Sequence, residues 1–426
     1  MTITRRRIAV IGSGISGLGA AWLLGRQHEV TLIEAEDRLG GHARTRMAGP
    51  RGDQPVDTGF IVFNRVTYPH LCALFDALEV PVEPAGMSFG ASIGGGQIEY
   101  GLAGLGALLA QPRNMADPRF LWMLRDILRF NAMAAKAASD PAMTTGELIA
   151  RLGLGARFRD HYLLPLTGAI WSAPLEGMLE FPAQALIRFL QNHGLMSLRG
   201  QHQWYTVTGG SRSYVARLEA ALRAQGTSIR TGCPVASVRR GPGGAEVTMR
   251  GARETFDEVV FATHSDDTLA LLSDPTPQER RVLGAIRYRP NDMVLHSDPS
   301  VMPRRRAVWS SWVYSQEGAQ SSPRIGLTYW MNALQPWLTE PLFVTLNSQR
   351  PIRPELVWDR AVLRHPVFDS AALSAQREAA AMNGQGATWF CGAWMRYGFH
   401  EDGLASAHAV ADGIAARRAA APLAAE

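Results

Sequence analysis

The stretch that decides the fold is Arg7-Ile8-Ala9-Val10-Ile11-Gly12-Ser13-Gly14-Ile15-Ser16-Gly17. Its apolar run predicts a buried strand, and its glycines have the G-x-G-x-x-G spacing of a strand-to-helix turn that binds a dinucleotide. The first glycine makes the tight bend, the second lets backbone approach a pyrophosphate, and the third lets the helix pack on the strand. The next apolar run, Glu29–Ile33, predicts a second strand. It ends at Glu34, where a carboxylate can accept hydrogen bonds from a ribose.

The residues after this strand resemble a known family. Glu34-Ala35-Glu36-Asp37-Arg38-Leu39-Gly40-Gly41-His42 matches the E-x-x-x-R-x-G-G-[RH] pattern of FAD enzymes in the amine oxidase and phytoene desaturase superfamily. The resemblance implies bound FAD, with Arg38 near the phosphates and Gly41-His42 beside the ribityl chain. Val56-Asp57-Thr58-Gly59-Phe60 resembles the segment of that superfamily that passes the flavin ring.

The far end of the chain resembles the closing motif of the same superfamily. A predicted strand from Thr388 leads to Gly392-Ala393, and Gly398–Gly403 opens a helix that we expect from Leu404 to about Arg417. In relatives this helix start points at the flavin and stabilises negative charge on it. Amine oxidases usually carry a Gly-Glu pair where this chain has Gly392-Ala393, which leaves one ribityl contact open.

Two mid-chain segments complete the resemblance. The residue matching Val235 holds adenine through its backbone in relatives, and Ala262-Thr263 ends a strand predicted over Phe256–Thr263. The predicted cofactor-binding residues are Gly12, Ser13, Gly14, Ile15, Ser16, Gly17, Glu34, Ala35, Arg38, Gly41, His42, Ala43, Gly59, Phe60, Ile61, Val235, Ala262, Gly392, Asp402, Gly403 and Leu404.

The order of these motifs predicts two domains in an α/β (α+β) fold. Residues 1–85, 201–272 and 385–420 form a discontinuous, Rossmann-like FAD-binding domain of the amine oxidase type, because its motifs lie at both ends and in the middle of the chain. Residues 86–200 and 273–384 form a substrate domain. In the substrate domain we expect helices around Pro118–Lys136 and Pro182–Leu198, and strands at Ala307–Tyr314 and Arg324–Met331.

Composition limits the partners. The formal net charge is +5, carried almost entirely by arginine, but the sequence has no nucleic-acid-binding motif. Its three cysteines, Cys72, Cys233 and Cys391, have no disulfide or metal-ligand spacing, so we expect noncovalent FAD, no metal and a reducing compartment. The oligomeric state stays open.

Two stretches bear on membrane association. The uncharged run Ile8–Gly25 follows Arg5–Arg7 and imitates a signal peptide, but it contains five glycines and the dinucleotide turn. Pro118–Phe130 combines large apolar residues with arginines and fits either a helix at a bilayer interface or a helix that covers a cavity. We therefore expect a cytoplasmic protein, and docking on the inner face of the membrane stays open.

The only lysine is Lys136, in an alanine-rich helix. Many amine oxidases of the superfamily hold a lysine, through water, at flavin N5, and Lys136 is badly placed for that task. Amine oxidation of small cationic substrates is therefore the first alternative. A second alternative is a flavin-binding accessory protein without turnover that supports a lipid methyltransferase.

Aromatic and amide clusters between the flavin motifs resemble a lipid-associated branch of the superfamily. That branch includes the methylated fatty acyl desaturases of furan fatty acid biosynthesis. The clusters are His161–Pro165, Ala169–Ser172, Phe189–Gly194, Val294–Asp298, Trp309–Trp312 and Thr328–Asn332.

This resemblance implies an aromatic-walled tunnel for phospholipid acyl chains and a peripheral membrane enzyme. The implied reaction desaturates a methyl-branched unsaturated fatty acyl group by hydride transfer to flavin N5, with loss of a neighbouring proton. The predicted catalytic residues are His400, Glu401 and Tyr329, with His193 as a weaker candidate for the proton acceptor. A purely structural role for His400 in its turn stays open.

Overall fold

The computed structural model describes residues 5–140, 142–171, 176–196, 202–318 and 325–420. Its strands are β1 (Arg7–Ile11), β2 (Glu29–Ile33), β3 (Thr45–Ala48), β4 (Gln54–Asp57), β5 (Val62–Asn64), β6 (Val82–Ala85), β7 (Phe89–Ile93), β8 (Ile98–Gly101), β9 (Trp204–Val207), β10 (Ser228–Arg230), β11 (Val235–Gly241), β12 (Gly244–Met249), β13 (Ala252–Phe256), β14 (Glu258–Phe261), β15 (Arg287–His296), β16 (Trp312–Gln316), β17 (Gly326–Trp330), β18 (Phe343–Leu346), β19 (Val357–Val367) and β20 (Thr388–Phe390). Its helices are α1 (Ile15–Leu24), α2 (Pro69–Ala77), α3 (Leu105–Leu108), α4 (Pro112–Met115), α5 (Pro118–Ala137), α6 (Thr145–Arg151), α7 (Ala156–Phe158), α8 (Leu164–Trp171), α9 (Ala183–Asn192), α10 (Arg212–Ala224), α11 (Ser265–Leu271), α12 (Pro277–Gly284), α13 (Met331–Leu334), α14 (Ser370–Met382) and α15 (His400–Ala420).

A parallel sheet in the order β10-β2-β1-β14-β20 is built from both ends and the middle of the chain. Alternate residues of a strand point to opposite faces. On β1, Ile8 and Val10 join a core with α1, α2, α10 and α15, while Ala9 and Ile11 join a core with β11, β12 and β13. The sheet is therefore covered on both faces, as its continuous apolar strands require. The predicted α/β fold is confirmed, and β1 has the predicted bounds.

A second sheet has seven strands in the order β19-β15-β18-β17-β16-β7-β8. All its pairs are antiparallel except β16 with β7. Helices α5, α6, α8 and α9 share a core with this sheet. The helices expected around Pro118 and Pro182 are α5 and α9, although α9 ends at Asn192 and Leu198 lies outside the described residues.

The strand expected over Ala307–Tyr314 starts later, at Trp312. Upstream of it, the Glu99 carboxylate accepts the backbone N–H groups of Arg304 (2.9 Å) and Arg305 (3.3 Å), and a 3-10 turn follows at Arg306–Val308. The chain is therefore bent where the sequence predicted extension. The strand expected over Arg324–Met331 is β17, and Arg324 lies outside the described residues.

Two helices lie on a different side of the molecule from the predicted one. Val282 and Leu283 of α12 and Ala375 of α14 pack in the same core as Phe261 and Phe390 of the parallel sheet. Residues 277–284 and 370–382 therefore belong to the cofactor side, whereas the predicted boundaries gave them to the substrate domain. Among the described residues, no helix has both the length and the apolar character needed to cross a bilayer.

Arg44 connects the segment that leads from the parallel sheet to β3 with the seven-stranded sheet. It precedes β3, and its guanidinium donates to Thr58 Oγ1 (3.0 Å) and to both carboxylate oxygens of Asp359 on β19 (2.5 and 3.3 Å). Only 9% of the Arg44 side chain is exposed, so solvent screens this pair weakly.

We expect Arg44→Leu to lower the free energy of unfolding by about 2 kcal/mol, since it leaves the largely buried Asp359 carboxylate with only the more distant Arg46 guanidinium (3.7 Å) as an ionic partner. Urea unfolding of the FAD-bound protein measures this change. The control is Arg51→Leu, which removes the exposed pair with Asp53 and has little effect. Equal stabilities of the two variants would contradict the connecting role of Arg44.

Candidate active site

One cavity of about 820 Å³ extends from the glycine-rich turn to the aromatic clusters. At its cofactor end it is lined by predicted residues, namely Gly12, Ser13, Gly14, Ile15, Ser16, Glu34, Ala35, Gly41, His42, Gly59, Phe60, Ile61, Val235, Ala262 and Gly392. At its aromatic end it is lined by Tyr162, Leu166, Ile170, Trp171, Phe189, His193, Trp204, Trp312, Tyr329, Phe368, Tyr397 and Phe399. The dinucleotide turn and the aromatic clusters therefore open into the same space.

The start of α1 offers backbone donors to this cavity. Gly14 is the N-cap of α1, and no side chain caps the backbone N–H groups at this end of the helix. The next two residues, Ile15 and Ser16, line the cavity. A Cβ built on Gly14 would meet no protein atom within 4 Å, whereas one on Gly17 would lie 1.8 Å from the Gly12 carbonyl oxygen. Gly14 thus leaves room for a ligand, and Gly17 lets the helix pack on the turn.

The Glu34 carboxylate is held beside the same turn. Its Oε2 accepts the Ser13 N–H (2.8 Å) and the Ser13 hydroxyl (2.5 Å), and its Oε1 accepts the Glu36 N–H (2.9 Å). A carboxylate has about four acceptor positions, so one remains for a ribose hydroxyl.

Arg38, predicted near the phosphates, does not line the cavity. Its guanidinium donates to the Gly41 carbonyl (2.9 Å) and pairs with Glu36 (3.0 Å). The Ala43 N–H donates to the Gly40 carbonyl (2.9 Å) in the same loop. Arg38 and Ala43 therefore shape the loop that presents Gly41 and its neighbours to the cavity.

Four histidine rings line the cavity at its cofactor side. The ring centroid of His42 lies 5.8 Å from those of His264 and His365, and His400 also lines the cavity. Burial lowers the pKa of His264, His365 and His400 to about 3, and burial, together with the Arg38 charge, lowers the pKa of His42. The four rings are therefore neutral at physiological pH.

His400 lies on the cavity wall in a fixed orientation. Its ring stacks on Phe60 with centroids 3.7 Å apart, and its Nε2 is 3.0 Å from the Tyr214 hydroxyl. Burial raises the pKa of Tyr214, so the phenol stays protonated, and its hydroxyl donates a hydrogen bond to Nε2. With Nε2 engaged by the Tyr214 hydroxyl, His400 fits a hydrogen-bonding or wall role at the flavin better than the predicted role of proton acceptor.

Glu401 does not line the cavity, and its position does not fit the predicted catalytic role. Its carboxylate accepts the backbone N–H groups of His70 (3.1 Å) and Leu71 (3.0 Å) and contacts His70 Nδ1 (2.6 Å). These contacts lie at the start of α2, so Glu401 neutralises the N-terminus of that helix. Sequence proximity to His400 could not reveal this distant partner.

The helix α15 starts at His400, earlier than predicted, which moves Asp402, Gly403 and Leu404 into its first turn and away from the cavity wall. Asp402 accepts the Phe399 N–H (3.0 Å). A Cβ on Gly403 would lie 2.7 Å from Ser16 Oγ, so this glycine lets α15 approach α1. None of the three lines the cavity, and their predicted contact with the cofactor stays a prediction.

The aromatic end of the cavity contains a cluster of rings. The Phe189 ring contacts those of His193 (4.0 Å between centroids) and Phe399 (5.3 Å), which lie 5.7 Å from each other. The Tyr329 ring packs edge-on against Trp312 at 5.4 Å. Among the described residues that line the cavity, the acidic ones are Glu34, Glu36 and Asp267, all on the cofactor side.

Some predicted tunnel residues lie elsewhere. Residues 294–298 do not line the cavity, and His296 is buried in the sheet with Nε2 2.8 Å from Thr345 Oγ1. Trp309 packs against Trp330 and Phe343 in a separate core. Strand alternation explains the split, because Tyr329 faces the cavity while the next residue on β17 points to the other face.

The sequence did not identify a polar group at the cofactor side. His264, Tyr288, Arg364 and His365 line the cavity there. Arg364 Nη2 lies 3.0 Å from His264 Nδ1, and it lies 2.8 Å from Asp266 Oδ1 and 3.1 Å from Asp267 Oδ2. The side chains of His264, Asp266 and Asp267 are close enough together to ligate a metal ion, but the Arg364 guanidinium lies between them.

Comparison with known proteins identifies the family. A family model for flavin containing amine oxidoreductases matches residues 15–297. The chain belongs to this family. Its cofactor is FAD, and it is a flavin-dependent oxidoreductase of the amine oxidase type.

The similarity to individual relatives is local in sequence and global in fold. The L-amino-acid oxidase of Sistrurus catenatus edwardsii is 47% identical over 45 residues, which is 10% of this chain and 9% of that protein. The fatty acid isomerase from P. acnes that produces CLA has a TM-score of 0.68 at 14% identity, covering 97% of this chain and 99% of that one. Wild-type putrescine oxidase has a TM-score of 0.67 at 16% identity with the same coverage.

The cofactor side of the cavity fits FAD. His42 Nε2 is buried and has no hydrogen-bond partner among the described residues, so it offers a polar atom to a ligand. The open space at Gly14 and the uncapped start of α1 suit the pyrophosphate, and the Glu34 carboxylate suits the ribose.

We expect Gly14→Ala and Gly17→Ala to separate binding from folding. Gly14→Ala adds a methyl group only where the ligand lies, so the apoprotein keeps its melting temperature but loses FAD. Gly17→Ala displaces α1 and loses both. Flavin absorbance after purification and thermal unfolding of the apoproteins measure the two effects. Gly106→Ala, with open space around its Cβ, is the control, and full FAD in Gly14→Ala would contradict the assignment.

Acid should destabilise the protein through these histidines. Because the folded pKa of His365 is about 3 and its ordinary value is 6.5, the unfolded chain binds the extra proton between these values. The stability that His365 contributes is present above pH 6.5 and is lost as the pH falls towards 3. We expect His365→Gln to make the slope of unfolding free energy against pH shallower by about 1.4 kcal/mol per pH unit near pH 5. Urea unfolding at several pH values measures it, and parallel profiles would contradict a neutral buried ring.

Proposed function

We propose that this flavoenzyme desaturates a lipid acyl chain, and that its substrate is a methyl-branched unsaturated fatty acyl group of a phospholipid. The observation that carries the proposal is the aromatic end of the cavity, which is continuous with the FAD site and has no acidic side chain among the described residues lining it. Such walls bind methylene groups through apolar contact and offer nothing to compensate a buried positive charge. The resemblance of the aromatic clusters to lipid-associated relatives supports the same substrate class.

Desaturation removes a hydride and a proton from neighbouring carbons, and FAD, when bound, supplies the hydride acceptor. An unactivated C–H bond of a saturated chain is too weak an acid for a protein base. A position next to an existing double bond is more acidic, because the allylic anion is delocalised, and the conjugated product is stabilised as well. The walls of the cavity hold the chain extended and keep water away from the reacting carbons.

His193 is the residue best placed to accept the proton. Its Nδ1 is 2.9 Å from the Phe189 carbonyl, so Nδ1 carries the hydrogen and donates it. The lone pair then lies on Nε2, and the ring lines the aromatic end of the cavity. Burial lowers the pKa of His193, which keeps the ring neutral and able to take up a proton. Tyr329 lines the same end, where its ring shapes the path of the chain.

Amine oxidation is the alternative, since the family model and several relatives are those of amine oxidases. Lys136, the only lysine of the chain, is exposed on α5 and does not line the cavity. An accessory protein without turnover, associated with a lipid methyltransferase, is a second alternative.

Anaerobic mixing of the oxidised protein with phospholipids carrying methyl-branched unsaturated chains should bleach the flavin absorbance. We expect no bleaching with the same lipids lacking the methyl branch, or with a panel of amines. The product gains one double bond for each flavin reduced, which mass spectrometry of the recovered lipid measures. Bleaching by an amine alone would establish amine oxidation, and bleaching by neither class would favour the accessory protein.

His193→Gln is the matched variant for this experiment. It keeps an amide that can donate to the Phe189 carbonyl but removes the basic nitrogen. We expect FAD to stay bound and the rate constant of reduction to fall about 100-fold. Tyr329→Phe, which retains the ring, should change the rate much less.

A further inference from the structure

The exposed large apolar side chains of the protein are concentrated in one segment. Among the described residues, eight of the twelve such side chains lie between residues 102 and 133. They are Leu102, Leu105, Leu109, Met115, Leu121, Trp122, Leu128 and Met133. Isolated exposed apolar residues are ordinary, but a cluster of this size marks a surface that contacts another apolar phase.

The helix α5 gives this surface its second property. One side of α5 is buried through Phe120, Met123, Ile127 and Phe130. Its exposed side carries the cations Arg125, Arg129 and Lys136, at helical spacing between rows of apolar residues.

Charge on this segment is unbalanced. Residues 102–137 contain five cations and two acids, Asp117 and Asp126. Asp126 is buried, where it accepts the Gly155 N–H (2.9 Å) and pairs with Arg125, and Asp117 caps the start of α5. Neither acid extends over the exposed side of the helix. The surface therefore presents apolar groups together with a formal excess of three positive charges.

The surface also joins the cavity. Leu102 is exposed and at the same time lines the cavity, and its N–H donates to the carbonyl of Phe89, another lining residue (2.8 Å). Leu105, the most exposed of the group at 75%, follows three residues later in α3. A chain that enters at Leu102 would thus pass from this apolar surface directly into the cavity.

We propose that the surface formed by α3, α4 and α5 docks on a bilayer that contains anionic phospholipid and takes acyl chains from it at Leu102. The leucine, methionine and tryptophan side chains enter the acyl region, while Arg129 and Lys136 reach the phosphate groups. Charge complementarity selects an anionic bilayer over a neutral one. The purpose of this docking rests on the proposed function. The docking itself is inferred from the exposed side chains and does not depend on which substrate the enzyme oxidises.

The test is flotation of the oxidised FAD-bound protein with two kinds of vesicle. One kind contains phosphatidylcholine alone, and in the other about 30% of the lipid is phosphatidylglycerol, which gives a strongly anionic surface. We expect binding to the anionic vesicles, weakened by salt. The double variant Leu105→Ser with Trp122→Ser should bind at least about tenfold more weakly. The control is Val66→Ser with Val362→Ser, two equally exposed apolar residues outside the surface, and it should bind like the wild type.

Absence of binding to anionic vesicles, or equal loss in both double variants, would overturn the proposal. A wild-type dimer in solution that only the Leu105/Trp122 variant converts to monomer would also overturn it, because a second copy would then cover the surface. No turnover is needed for flotation, so the result is independent of the substrate. Flavin reduction by detergent-dispersed lipid without vesicle binding would refute the docking alone, and vesicle binding without reduction by any lipid would refute the proposed function alone.

Discussion

The contact between Gly17 and the Gly12 carbonyl is the constraint on which the other cofactor contacts depend. A Cβ at Gly17 would lie 1.8 Å from that oxygen, so only glycine allows α1 to leave β1 at the observed angle. Two further glycines extend the arrangement, since Gly19 contacts Leu404 and Gly403 contacts Ser16. Together they hold α15 against α1 and bring the end of the chain to the start of the cofactor site.

The parts of the fold that the sequence predicted are those that local geometry determines. The strands β1 and β2, the turn between them and the position of Glu34 depend on residues close together in the chain, and the structure has them as predicted. The start of α15 was predicted too late because Asp402 folds back on the Phe399 N–H, which a pattern of apolar residues does not show. Capping contacts of this kind depend on side-chain direction.

Of the histidine group at the cofactor side, the sequence predicted His42, but His264 and His365 could not be predicted, for a different reason. His42, His264 and His365 come from three distant segments, and His365 reaches the cavity only because β19 pairs with β15 in one particular register. A shift of one residue would turn this side chain to the other face of the sheet. The same ambiguity explains the tunnel residues, since an aromatic cluster on a strand does not reveal which of its members faces the cavity.

Burial of these rings has a consequence for the kind of molecule the cavity can hold. The histidines are neutral, and the described residues that line the aromatic end carry no charged side chain. An ion brought there would lose its hydration shell and find no group of opposite charge to replace it. A phospholipid avoids this cost because its charged headgroup can stay outside while only its apolar chain enters. The distribution of charge over the protein matches that division, with the cations of α5 exposed at the surface and aromatic rings within the cavity. A small amine would have to bring its charge inside or lose its proton first, and the described residues of the aromatic end provide only His193 and tyrosine hydroxyls for that purpose.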